Sequence, residues 1–87
     1  MVIGDRIGAI QSANEDTVTL YGYGTYQGEE VPPKDIDEFL NEVGFKNPKL
    51  LLDNGNVVWG CQCWWGSEGR TKIAIAGRKV IEVSTEI

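Results

Sequence analysis

The sequence predicts a small α+β domain: a strongly bent antiparallel β-sheet, or a partly open barrel, of about five strands with one clear helix. Strict alternation of polar and apolar residues, as in residues 17–21, is typical of half-buried strands. Glycines interrupt several of these runs, and they favour bends or bulges over a flat sheet. Residues 35–43 are the clearest stretch with apolar side chains at helical spacing.

Two strands joined by a turn are predicted near the N-terminus. Residues 6–11 form the first strand, and residues 17–21 form the second, with Val18 and Leu20 facing inward. The glycine-rich segment that follows, residues 22–28, lacks the Lys and the Ser or Thr of a phosphate loop and does not open a helix. A bend or a close backbone approach is therefore the better interpretation of its glycines.

One amphipathic helix is predicted over residues 35–43. Asp35 is placed as the N-cap, and Gly44 supplies the C-terminal stop. We expect the apolar stripe of this helix to lie in the core and its acids to face solvent. The stripe consists of Ile36, Phe39, Leu40 and Val43.

The second half of the chain predicts a hairpin and a closing strand. Asn54-Gly55 between two apolar runs is the strongest short-range hairpin signal. Residues 67–76 fit either a short second helix, capped by Ser67 and ended by Gly77, or a strand. Residues 79–84 read as a strand in both cases.

Residues 57–66 contain all three tryptophans and both cysteines. Taken as one strand, the segment places Val57, Trp59, Cys61, Cys63 and Trp65 on a core face. The next tryptophan, Trp64, then lies beside Gln62 on a more polar face. It either covers a second small cluster or serves a ligand or partner, because a tryptophan combines a large apolar area with an N–H donor.

The two cysteines predict neither a disulfide nor a metal site. Two strand rises separate the α-carbons of Cys61 and Cys63 by roughly 6.5 Å, which is long for a disulfide, so we expect reduced, buried thiols. A closed zinc site uses four ligands, and the chain has no histidine and no third cysteine. We therefore expect no metal, no cofactor and no catalytic residue, since no general base accompanies either thiol.

Size and charge narrow the function further. A chain of 87 residues predicts a single domain, 1–87, with a surface groove or a site shared in a homo-oligomer. No apolar run predicts a membrane span and no leader predicts secretion, so a cytoplasmic location is expected. The net charge of −5 argues against general nucleic-acid binding. Most of the basic residues lie in residues 43–87. A group of positive charges beside the aromatic residues is therefore compatible with the net negative charge of the chain.

The whole chain resembles an uncharacterised family of short bacterial and phage proteins. The resemblance is carried by Gly4-Asp5-Arg6-Ile7-Gly8-Ala9-Ile10, by the GYGxYxG motif at residues 22–28 with Tyr21 before it, and by the VWGCxCWWG motif at residues 58–66. It implies no particular activity. It does favour a helix over residues 67–76, against which Gly69 and three β-branched residues in that stretch argue.

These observations predict a non-enzymatic binding module for a small nucleotide-like or other anionic aromatic ligand. Aromatic faces would stack on a planar group, and a basic side chain would meet a phosphate or carboxylate. In a phage, such binding would sequester a defence signal. The expected ligand-binding residues are Tyr21, Tyr23, Gly24, Tyr26, Trp64, Trp65, Arg70 and Lys72.

The alternative is a protein–protein inhibitor or adaptor that binds a basic surface of a host protein. Its acidic first half would steer association, with Tyr23 or Tyr26 as anchors. The acids concerned are Glu29, Glu30, Asp35, Asp37, Glu38 and Glu42.

Overall fold

Six strands and two helices follow one another along residues 1–84, the part of the chain that the computed structural model describes. In chain order they are β1 (Arg6–Ala13), β2 (Thr17–Glu30), α1 (Glu38–Val43), β3 (Asn47–Leu52), β4 (Val57–Trp59), β5 (Trp64–Ser67), α2 (Glu68–Ile75) and β6 (Lys79–Glu82). A single 3₁₀ turn, Gly60–Gln62, separates β4 from β5. The predicted α+β class, with a bent sheet that does not close, is confirmed.

The strands form one sheet in the order β4-β3-β2-β1-β5, in which all neighbours are antiparallel. β6 pairs with β2 in parallel, which adds a pairing that the sequence did not predict. Since β1 occupies one edge of β2 over residues 18–25, β6 and β3 share the other edge, at residues 17–20 and 24–30. Residues 21–23 of β2 lie between these two partners, and the sheet has a gap there.

The core consists of one apolar cluster and of further buried residues outside it. As alternation predicts, Val18 and Leu20 are buried, with exposed fractions of 0% and 2%. A single apolar cluster is formed by Ile7, Ala9, Tyr26, Leu50, Leu52 and Val58, with Tyr21, Cys63 and Trp65 packed against it. No helix in residues 1–84 is both long and apolar enough to cross a membrane.

The first helix is shorter and more exposed than predicted. It begins after Asp37, whose carboxylate accepts a hydrogen bond from the N–H of Leu40, so the N-cap is Asp37 and not Asp35. Gly44 ends the helix in the left-handed conformation, as predicted. The prediction that its apolar stripe lies in the core is wrong, because no residue of α1 is buried and Phe39 is 70% exposed.

The reason is the way α1 is attached. The side-chain amide of Asn41 donates to the carbonyl oxygen of buried Pro32, which holds the helix by a polar contact. Six residues make fewer than two turns. The helix is therefore too short for all of its apolar side chains to pack against the sheet. Val43 and the following Phe45 are therefore also exposed, by 56% and 63%.

Residues 67–76 adopt the helical alternative. The hydroxyl of Ser67 accepts the N–H of Arg70 as the predicted N-cap, and α2 ends at Ile75, with Ala76 and not Gly77 as its C-cap. Thr71, 5% exposed, is the buried residue of the helix and lies directly over Gly8 of β1. Its hydroxyl donates to the carbonyl oxygen of Ser67, so it is buried with its hydrogen bond made.

The predicted hairpin at Asn54-Gly55 is present, but the strand predicted through residues 57–66 is broken. β4 ends at Trp59, where the side chain of Gln62 accepts the N–H of Trp59 and closes the 3₁₀ turn. This turn interrupts the alternation, so Val58 and Trp59 are both buried in succession. Cys61, predicted to be buried, is exposed for the same reason.

Candidate functional site

Five of the eight residues predicted for one binding site line two separate concavities. The first, which we call the Trp64 concavity, has a volume of about 220 Å³ and is formed by β1, β5 and α2. The second, which we call the sheet gap, has a volume of about 210 Å³ and lies where β3 and β6 leave part of β2 unpaired. The Trp64 concavity is lined by Ile10, Trp64, Trp65, Gly66, Arg70, Thr71 and Ala74. The sheet gap is lined by Tyr21, Gly22, Tyr23, Leu52, Asp53, Asn54 and Glu82.

The pairing of β1 with β5 sends the two adjacent tryptophans to opposite faces. Ala9 lies opposite Trp65 and Ile10 lies opposite Trp64, and paired residues share a face. Trp65 therefore faces the core, where its ring is stacked on that of Tyr26 with centroids 5.7 Å apart and planes 9° from parallel. Trp64 faces outward and is 80% exposed, although tryptophan is the side chain with most to gain from burial.

Helix α2 completes the Trp64 concavity with one cation. Arg70, Thr71 and Ala74 lie on the side of the helix that faces it, as positions i, i+1 and i+4. The guanidinium of Arg70 has no ion-pair partner within residues 1–84. The concavity thus offers an open aromatic ring, an apolar floor and a positive charge without an ion-pair partner among the described residues.

The sheet gap has a different chemistry. Its ends are fixed by two backbone bonds, from the N–H of Val83 to the oxygen of Leu20 and from the N–H of Asp53 to the oxygen of Tyr23. Arg6 holds the carboxylate of Asp53 with two hydrogen bonds of 2.7 Å and reaches Glu68 at 3.2 Å. These bonds lower the pKa of both carboxyl groups.

Tyr23 lies among these charges. The ammonium of Lys72 stands 5.6 Å from the centroid of its ring, within cation–π range. Lys72 is also 3.9 Å from Glu68. Partial burial raises the pKa of Tyr23, and the carboxylates of Glu68 and Glu82 raise it further. The predicted residue Lys72 therefore belongs with Tyr23, while Arg70 belongs with Trp64.

Two of the predicted ligand-binding residues have structural positions instead. A Cβ at Gly24 would lie 2.0 Å from the backbone oxygen of Leu51, so this glycine is required by the close approach of β3. Tyr26 is 9% exposed, and its hydroxyl donates to Glu29, which raises the pKa of the phenol. Neither residue lines the Trp64 concavity or the sheet gap, and Tyr26 is too buried to be a protein anchor.

Several residues that line the concavities were not predicted. Ile10 joins Trp64 only through the register of β1 with β5, for which the sequence has no local signal. Glu82 reaches the sheet gap through the parallel pairing of β6 with β2. Thr71 and Ala74 could have been inferred from Arg70 by helical spacing, once the helical alternative was chosen.

Both cysteine thiols have raised pKa values. Burial raises the pKa of Cys63 to about 12, and it raises the pKa of the more exposed Cys61 as well. The thiol of Cys63 donates to the carbonyl oxygen of Trp59 at 3.5 Å. Within the described residues, no three His, Cys, Asp or Glu side chains are grouped to hold a metal.

Exposed apolar residues also accompany the acids around α1. Phe39 and Val43 are four residues apart and share one side of the helix, with Phe45 following the C-cap. Glu38 and Glu42 precede Phe39 and Val43 in the chain. This surface, which we call the α1 ridge, combines aromatic and acidic groups without a cover from the described residues.

A scan against protein-family models and searches of curated proteins and of solved structures each found no match to this chain. The resemblance to short bacterial and phage proteins therefore stays a prediction.

Proposed function

We propose that this chain is a non-enzymatic binding domain whose Trp64 concavity takes a planar, negatively charged ligand of nucleotide-like chemistry. The observation that carries the proposal is the 80% exposed ring of Trp64 on the edge of an apolar concavity. In this arrangement a planar ring would stack on the indole of Trp64. Its anionic group would meet the guanidinium of Arg70, which has no other partner within residues 1–84.

The size of the concavity sets the expected mode of binding. Its volume of about 220 Å³ is below the roughly 300 to 1,000 Å³ typical of enclosed small-molecule sites. One ring would be covered, and the rest of the ligand would remain in solvent. Stacking contributes about 1–3 kcal/mol per base, and a charge-assisted hydrogen bond contributes about 1.5–3 kcal/mol. The expected dissociation constant is therefore on the order of ten millimolar to tens of micromolar.

Calorimetry with matched ligands tests this proposal. The four nucleoside monophosphates supply ring and charge, adenosine supplies the ring alone, and ribose 5-phosphate supplies the charge alone. We expect binding to be strongest for a monophosphate. The Trp64→Ala variant should bind the monophosphate at least about fivefold more weakly, because the stack is removed. The Arg70→Gln variant should bind monophosphates more weakly, with an affinity close to that for adenosine.

The chain offers a control for each variant. Phe39→Ala removes an aromatic ring that is 70% exposed but lies on α1. Arg78→Gln removes one exposed positive charge outside the Trp64 concavity. Both should bind as the wild type does. Absence of heat for all ligands up to about 50 mM, or equal losses in the test and control variants, would contradict the proposal.

The α1 ridge favours a second candidate function, binding to a basic surface of another protein. Phe39, not Tyr26, would be its anchor, since aromatic anchors in interfaces must be accessible before binding. Charge reversal at Glu38 and Glu42 should then abolish the association and leave nucleotide binding unchanged. Nucleotide binding lost by that same reversal would contradict the assignment of two separate surfaces.

A further inference from the structure

The sheet gap carries an inference that is independent of the Trp64 concavity. It exists because β2 has two partners on one edge, β6 and β3, and neither covers residues 21–23. Into this opening the chain places two tyrosines from β2 and one carboxylate from the end of β6. Aromatic rings beside a carboxylate are the groups with which proteins recognise organic cations.

The charges around the gap have an excess of negative sign. Three carboxylates lie in or beside the gap, together with the two cations Arg6 and Lys72. Two of the carboxylates are already paired, Asp53 with Arg6 and Glu68 with Arg6 and Lys72. Glu82 is the third, and it has no ion-pair partner within residues 1–84. An incoming cation would therefore find one uncommitted carboxylate on the lining of the cavity.

Lys72 shows that the ring of Tyr23 accepts a cation. Its ammonium stands 5.6 Å from the ring centroid, and it is not one of the residues that line the gap. The chain thus contains an internal example of the contact that an external ammonium or guanidinium would make with the ring of Tyr23. We propose that the sheet gap binds an alkylammonium or alkylguanidinium group, held between the ring of Tyr23 and the carboxylate of Glu82, with Tyr21 on the lining of the gap.

Calorimetric titration of the full chain with spermidine and with N-acetyl-arginine amide tests the proposal. Spermidine represents a free polyamine, and the amide represents the side chain of a partner protein. Binding of either supports the site, and which of them binds more tightly identifies the source. Titrations at about 20 and 150 mM salt should show weaker binding at the higher value, since the gap is open to solvent.

Four variants separate this site from general attraction to an acidic protein. Glu82→Gln should weaken binding about fivefold, whereas Glu42→Gln on α1 should change it less than twofold. Tyr23→Phe keeps the ring and should retain the affinity, and Lys72→Met should raise it about threefold by removing a competing cation. Each of these side chains is at least partly exposed, and circular dichroism verifies that each variant is folded.

Two results would overturn the proposal: no binding of either cation, or equal weakening by Glu82→Gln and Glu42→Gln. The second would show a diffuse charge effect. The outcome is separable from that of the proposed function, because the Trp64→Ala variant should bind spermidine as the wild type does.

Discussion

The close packing of α2 on β1 leads to a specific prediction about Gly8. A Cβ built at Gly8 would lie 2.5 Å from both Cγ2 and Oγ1 of Thr71 and 2.6 Å from its Cβ. Real Cβ atoms do not approach this closely, so Gly8→Ala must push α2 away from the sheet. Overpacking of this kind costs about 1–3 kcal/mol. In a domain of this size we expect the melting temperature to fall by on the order of 5 to 20 °C.

Gly66 provides the matched control, because it lies directly opposite Gly8 on β5. A Cβ at Gly66 meets nothing within 4 Å, so Gly66→Ala should change the free energy of unfolding by no more than about 0.5 kcal/mol. Thermal and urea unfolding followed by circular dichroism measure both variants. A Gly8→Ala variant as stable as Gly66→Ala would refute the seating of α2 and, with it, the position of Arg70.

A double-mutant cycle locates the cause. Thr71→Gly removes all three atoms that a Cβ at Gly8 would meet, although glycine in a helix costs about 1 kcal/mol. In the Gly8→Ala background this second change should cost less than it does alone. The coupling free energy should therefore be favourable by about 1 kcal/mol or more. Additive effects would show that the destabilisation has another origin.

Three further predictions concern caps, thiols and ion pairs. Asp37→Ala should cost about 1 kcal/mol as the loss of an N-cap, whereas Asp35→Ala should cost less than about 0.5 kcal/mol; urea unfolding checks both, and the reverse order would refute the observed cap. Timed alkylation at about pH 8, read by peptide mass spectrometry, should modify Cys61 well before Cys63, because burial raises the pKa of Cys63 to about 12 and the thiolate is the reactive form. Arg6 lowers the pKa of two carboxyls from ordinary values of 3.8 and 4.5, so their stabilisation is complete above those values and is lost as the pH falls below them. The free energy of unfolding of Arg6→Gln should therefore fall less than that of the wild type between about pH 7 and about pH 3. Urea unfolding at both pH values measures this, and an equal fall in the two proteins would contradict the pairing.

Local patterns were sufficient for most of the fold. Alternation placed Val18 and Leu20 inside, and Asn54-Gly55 located a hairpin, because in each case the deciding residues are neighbours in the chain. The opposite orientation of Trp64 and Trp65 follows from the same period of two. The orientation of side chains along a strand and the position of a tight turn depend on local backbone geometry. They depend little on which other strand is the neighbour in the sheet.

The break at Gly60–Gln62 was not predictable from the same patterns. Apolar and aromatic residues continue through it, so the segment reads as one strand. A side-chain bond from Gln62 to the N–H of Trp59 competes with the sheet there and closes a turn. Similarly, α1 has the composition of a packed helix, but its short length leaves Phe39 exposed.

The arrangement of the candidate site depended on long-range pairing. β1 lies between β2 and β5 in the sheet, and α2 crosses over Gly8. These two facts separate Tyr23 from Trp64, and no residue near either of them in the chain indicates this. The parallel pairing of β6, which brings Glu82 to Tyr23, likewise has no local signal. The sequence therefore indicated several of the side chains that line the concavities and could not indicate that the concavities are two.

The proposed function depends most directly on the indole ring of Trp64 being the surface that a ligand touches. Two-dimensional ¹H–¹⁵N spectra of the uniformly labelled chain resolve the side-chain N–H signals of the three tryptophans, and the variants Trp64→Ala and Trp59→Phe identify those of Trp64 and Trp59. On addition of a nucleoside monophosphate we expect the signal of Trp64 to shift progressively, while that of Trp59, 5% exposed, stays in place. A Trp64 signal that does not move at saturating ligand, or a shift as large at Trp59, would contradict the account.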